Sequence, residues 1–123
     1  MNTNYKKIKG FASACKAKKL DAKKLVEKWA KMKLTEDEIA YMMLKIFYSA
    51  INGDWVADFD NHDQPKYFAW WWRKPGVGFV LDCVNFNFDY TFVSARLCCE
   101  TREQQEHAAK YGLKMWRKFL DNK

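Results

Sequence analysis

The chain is poor in proline and glycine, with two and five residues in 123. That scarcity leaves no room for a flexible linker, so the length describes one domain with a core of its own. No run of about 18 apolar residues occurs, which speaks against a membrane-spanning helix. The N-terminal stretch is polar and has no apolar segment of secretion-signal length. Four cysteines (Cys15, Cys83, Cys98, Cys99) form no C-x-x-C pair, so their spacing describes neither a disulfide framework nor a zinc knuckle. These absences predict a cytoplasmic protein with reduced thiols. Acid is missing as well, at one end. Only Asp21 and Glu27 fall in the first 34 residues.

Eleven lysines fill that acid-poor stretch: Lys6, Lys7, Lys9, Lys16, Lys18, Lys19, Lys23, Lys24, Lys28, Lys31 and Lys33. Its charge is 11 − 2 = +9 against +7 for the whole chain, so the other 89 residues sum to about −2. Such lopsidedness bears on partners rather than on fold. Lysine serves as a solvated helix surface, but so strong a bias predicts contact with an anionic partner. Lysines neutralise phosphates and release counterions whatever the base sequence. Their dominance over arginine favours backbone contact over bidentate reading of bases.

Aromatic residues make up 17% of the chain, which argues against disorder. Tyr5, Ile8, Phe11, Ala12 and Cys15 recur at helical spacing and predict a first short helix, weakened by Gly10. Asp21 is a fitting N-cap for a second helix, with Leu20 and Leu25 as a hydrophobic staple and Leu25, Trp29 and Met32 as its inner stripe. Thr35-Glu36-Asp37-Glu38 spells a capping box. The third helix then runs through Ala40, Leu44 and Phe47 to Asn52-Gly53, residues suited to a left-handed cap. It is apolar on more than one face, which predicts a buried central helix.

Past Gly53 the period changes to two. Strands are expected over Trp55–Phe59, Lys66–Trp72, Val77–Val84 and Phe92–Cys98, with Pro75 and Gly76 at the middle of a type II turn. Thr101 and Gln104 form a second capping box, opening a last helix with Ala108, Tyr111, Gly112, Met115, Trp116 and Phe119 on its buried stripe. The expected fold is α+β: N-terminal helices, a three- or four-stranded antiparallel sheet, and a C-terminal helix packed on the sheet. Residues 1–34 read as a basic helical segment attached to a core spanning 35–123. Deleting residues 1–19 is expected to leave a folded protein while removing any nucleic-acid affinity.

Several motifs of the second half occur in a familiar order: Asn52-Gly53-Asp54-Trp55, then Lys66-Tyr67-Phe68-Ala69-Trp70-Trp71, then Gly78-Phe79. Ser94-Ala95-Arg96-Leu97-Cys98 follows, and then a helix holding Ala108-Ala109 and ending Phe119-Leu120. Over roughly residues 50–120 the chain resembles a group of small uncharacterised proteins of Bacteroidales bacteria and their phages and prophages. The resemblance implies a bacterial host cell as the setting. It carries no established activity and transfers no site.

Two interaction surfaces follow from the residues. The first is a nucleic-acid-binding face made by Lys6, Lys7, Lys9, Lys16, Lys18, Lys19, Lys23, Lys24, Lys28 and Lys31. The second is an aromatic patch of Trp71, Phe86, Phe88 and Tyr90, because rings near a hairpin tip have little to bury against. It would suit a protein partner, such as a host enzyme or defence factor bound by a phage protein. Asp58, Asp60 and His62 can be written as metal ligands, but a polar loop explains them and the chain offers no nuclease partner motif. A Cys98 or Cys99 nucleophile with His107 as base lacks a third, orienting group. Arg96 sits among apolar residues, as a paired core-edge arginine or an anion contact.

A double-stranded RNA-binding domain would need lysines where the chain has Thr101-Arg102-Glu103-Gln104-Gln105-Glu106. A helix-turn-helix would need a third helix less apolar and less acidic at its start. The expectation is a non-enzymatic binding module with no metal, no cofactor and no membrane contact. It binds nucleic acid weakly and without sequence preference, or else a host protein through its rings.

Overall fold

The computed structural model describes residues 4–89 and 95–121. A single 3-10 turn, Asn4–Lys7, leads into α1 (Phe11–Ala17), α2 (Ala22–Lys31) and α3 (Glu36–Asn52). A hairpin of β1 (Lys66–Lys74) and β2 (Gly78–Asn87) follows, and then α4 (Arg102–Tyr111) and α5 (Leu113–Leu120). The class is α+β. The two strands are antiparallel and form the whole sheet among the described residues.

Of the expected strands, Trp55–Phe59 is absent from that sheet, and the described part of Phe92–Cys98, residues 95–98, adds no strand to it. Residues 55–59 are held by side chains that bond nearby backbone, a competitor of the sheet ladder. Gln64 accepts from the Asp58 N–H (2.7 Å) and donates to the Val56 carbonyl (3.1 Å), and Asp58 accepts from the Asp60 N–H (3.0 Å). At the other site Ala95–Leu97 turns, and Cys99 makes one isolated bridge to Tyr67, with both N–H···O distances 3.0 Å. Residues 92–94 lie outside the described residues.

Helix α3 is the centre of the molecule. Leu44, Phe47, Tyr48 and Ile51 are fully buried on it, and α1, α4 and α5 pack around it. Each such side chain contributes about 1.5–3 kcal/mol by leaving water. The capping box forms at its start, where the Glu38 carboxylate accepts from the Thr35 N–H at 2.9 Å. Gly53 ends it with φ at 62°, a left-handed value that suits glycine. The last helix is in fact two, because the chain breaks at Gly112. Its backbone approaches α3 so closely that an added Cβ would stand 2.8 Å from the Phe47 ring.

The basic N-terminal segment is built into the core rather than attached to it. Tyr5, Ile8 and Ala14 belong to the central cluster, and Cys15 is buried beside them. The His107 ring on α4 bonds the Ile8 carbonyl through Nε2 at 2.7 Å and meets Tyr5 edge to face at 5.1 Å. Gly10, in extended backbone, divides the expected first helix into the 3-10 turn and α1. On α2, Trp29 turns inward onto Phe11, whereas Met32 is 58% exposed and does not continue the inner stripe.

Polar side chains stitch the core as well. The Tyr48 hydroxyl donates to Gln105 Oε1 (2.5 Å) and accepts from Trp116 Nε1 (3.0 Å). Gln105 Nε2 in turn donates to the carbonyls of Tyr67 and Leu97. Asn52 Nδ2 donates to the Cys98 carbonyl at 2.8 Å. This network ties α3, α4, β1 and the segment after the hairpin into one unit, with almost every buried polar group paired.

Candidate nucleic-acid interface

The ten lysines singled out in the sequence all lie on the 3-10 turn, on α1 and α2, or on the short connections between them, and all ten are exposed. Helix α2 explains how so many fit. Trp29 and Leu25 face inward, which leaves Lys23, Lys24, Lys28 and Lys31 free for the solvent side. Asp21 is spent as the N-cap, accepting from the Lys24 N–H at 3.1 Å. None of these lysines has a carboxylate within ion-pair distance among the described residues; the ion pairs found there are His62–Asp89 and Arg73–Asp121.

The helix ends carry a further signal. Lys19 and Lys33 both adopt φ of 58°, each one residue past the C-cap of its helix. The chain then closes back, with Leu20 N–H bonding the Cys15 carbonyl and Leu34 N–H the Trp29 carbonyl. Glycine is the low-energy residue for this left-handed cap, and a side chain there costs on the order of 1 kcal/mol. The chain has lysine at both.

Tertiary structure adds cations that the sequence alone did not group with these. Lys110, Lys114 and Lys118 on α4 and α5 lie on the same side of the molecule as Lys9, around the Tyr111 ring. Lys9 Nζ is 5.9 Å and Lys110 Nζ 5.2 Å from that ring's centre. The only sequence signal for this grouping was the helical spacing of Lys110, Lys114 and Lys118; the contact with the N-terminus was not legible.

The aromatic patch does not assemble as expected. Trp71 turns to the helices and stacks obliquely on Trp116 at 5.1 Å, so it is part of the packing. Trp70 and Trp72, on the other face of β1, are 48% and 52% exposed. Phe86 is exposed and meets Phe88 edge to face at 5.6 Å, but at the end of the hairpin away from the turn. Tyr90 lies outside the described residues.

The acidic loop does not gather as a metal site: no group of three metal-ligating side chains occurs among the described residues. His62 pairs instead with Asp89 at 2.5 Å, and that hydrogen bond raises its pKa above the ordinary 6.5. Lys66, entirely buried, anchors this loop by donating to the carbonyls of Asn61, Gln64 and Phe88 (3.3, 3.0 and 2.7 Å). Burial pushes the Cys98 thiol up to about 11 and the Cys99 thiol well above its usual range, which keeps both protonated near neutral pH. His107, committed to Ile8, is not directed at either. Arg96 is exposed at the rim of a cavity of about 510 Å³ that it shares with Lys45, Asn52 and Trp55.

Compared with protein-family models, curated proteins and solved structures, the chain matches none. No helix among the described residues is long and apolar enough to cross a membrane.

Proposed function

We propose that this protein is a binding module that holds nucleic acid by its phosphates, without reading sequence, on its lysine-covered N-terminal face. The observation that carries the reading is that ten exposed lysines crowd the 3-10 turn, α1, α2 and their connections, none within ion-pair distance of a carboxylate among the described residues. A field of unpaired ammonium groups attracts a polyanion, and condensed counterions leave when it binds. Lysine suits this task as a point charge on a flexible stem, whereas arginine's planar fork suits bidentate recognition. Two lysines at helix ends where glycine costs less fit the same purpose.

The test is the salt dependence of binding, read by fluorescence anisotropy on a labelled duplex. If about five lysines meet phosphates, log affinity falls with log salt at a slope of roughly −4 to −5. A flat dependence, or no binding at low salt, overturns the reading.

A second reading has its own observation. Trp70, Trp72 and Phe86 expose large rings on the hairpin, and such rings are favoured anchors for a protein partner, here a host protein if the chain is of phage origin. This reading predicts a partner captured from nuclease-treated lysate by the native protein and lost with Trp72→Ser. Equal capture by both proteins removes the ring from the account.

A further inference from the structure

Two adjoining hollows, of about 560 and 580 Å³, share Glu36, Tyr111, Lys114 and Lys118 and so form one groove between the start of α3 and the α4–α5 pair. Its floor at one end is apolar: Phe11, Met43 and Met115, with Tyr111 at the join. Its rim carries Lys9, Lys110, Lys114 and Lys118, all exposed. Among the described residues that line it, only Glu36 opposes them freely, since Asp121 pairs with Arg73 at 3.4 Å. Arg117, at the far end, is committed through Nε to the Phe79 carbonyl at 2.8 Å.

An apolar floor under a lysine rim is wasted on a duplex, whose bases are stacked and paired inside and whose surface is phosphate. In a single strand the bases are free to lie on rings and methionines while the backbone follows the cations. We infer that this groove is a track for single-stranded nucleic acid, with bases against Phe11, Met43 and Tyr111 and phosphates against Lys9, Lys114 and Lys118. This rests on the nucleic-acid reading above and narrows it from any polyanion to unpaired strands. Lys9 supplies the continuity, because it belongs both to the groove and to the N-terminal lysine field. An extended peptide is less well matched: helices and the segment before α1 form the walls, and among the described residues no strand edge lines the groove to bond its backbone.

The experiment compares four labelled probes at one salt concentration: an oligothymidylate, a duplex of equal length, an abasic strand of equal length and a polyglutamate. The oligothymidylate is expected to bind at least about tenfold tighter than the other three, since each stacked base contributes to affinity. The double change Lys114→Glu, Lys118→Glu is expected to remove most of that advantage. Lys24→Glu, Lys28→Glu, outside the groove, is expected to weaken strand and duplex alike. Tyr111→Leu should narrow the gap between thymidylate and abasic strand, with cooperative melting as its control; if it fails to fold, the lysine pair still decides. Equal affinity for thymidylate, duplex and abasic strand overturns the groove and leaves the broader reading standing. So does a Lys114→Glu, Lys118→Glu protein that keeps the full preference. Polyglutamate binding as tightly as thymidylate overturns it in favour of an acidic peptide. No binding to any nucleic acid ends both.

Discussion

Gly112 is a residue at which the packing leaves no room for a side chain. A methyl there would stand 2.6 Å from the Ala108 carbonyl oxygen and 2.8 Å from the Phe47 ring. Gly112→Ala is expected to cost about 1–3 kcal/mol, read as a lowered denaturation midpoint. An unchanged midpoint would mean that α5 shifts away from α3 freely. Tyr48 is the polar counterpart. Its hydroxyl gives one hydrogen bond and takes another, so Tyr48→Phe leaves Gln105 Oε1 and Trp116 Nε1 short of a partner. A loss of about 1–3 kcal/mol is expected. Neither role was legible beforehand: Gly112 reads as one more stripe residue, and nothing in the spacing marks Gln105 as the partner of Tyr48. Both depend on what lies across the core.

Among elements, the helix starts were the most legible because their bonds span three residues. Thr35 with Glu38, Asp21 with Lys24, and Thr101 with Gln104 all pair as their spacing predicts. Hydrogen bonds from the Thr35 N–H and hydroxyl favour the ionised Glu38 and hold its pKa below the ordinary 4.5. The box therefore adds stability above that value and loses it as pH falls through the lowered one. The acid limb of the melting curve should become shallower in Glu38→Gln. The left-handed ends of α1 and α2 yield a separate prediction. Lys33→Gly is expected to stabilise the fold by up to about 1 kcal/mol, because glycine relieves the positive φ. It should also weaken nucleic-acid binding slightly, and a destabilised variant would show that the Lys33 stem packs.

On the scale of the whole molecule, the N-terminal segment decides stability as well as charge. Removing residues 1–19 takes Tyr5, Ile8, Ala14 and Cys15 out of the core. At about 1.5–3 kcal/mol for each large side chain, the loss is a sizeable part of the roughly 5–15 kcal/mol that holds a domain together. The truncated chain is expected to lose cooperative melting. A sharp transition near the native temperature would show the segment to be an appendage after all. Alkaline pH should also unfold the protein. Burial raises the pKa of Cys98 from 9.0 to about 11, and those of Cys99 and Tyr48 further above their ordinary values. In that range the unfolded chain has fewer bound protons than the folded one, so stability falls as pH rises. It is fully present below about pH 9 and declines above it. A melting temperature that holds steady to pH 11 would contradict this.

Features that rest on neighbours three or four residues apart were readable in advance: the caps, the central helix and the Pro75-Gly76 turn, while composition alone marked the lysine-rich end. Which rings became surface depended on the packing of distant segments. Alternation could say only that Trp71 opposes Trp70 and Trp72, and not which side would meet Trp116. Beyond Trp70 the register slips by one, with Trp70 opposite Cys83 and Trp71 opposite Leu81, so parity along β2 does not carry through either. Tertiary structure also drew Tyr5 and Ile8 into the core, buried Lys66, and brought Lys9 beside Lys114 and Lys118. Each of these depends on partners far away in the chain, and their positions follow from burying the largest apolar surface together. Local spacing carries no record of that choice.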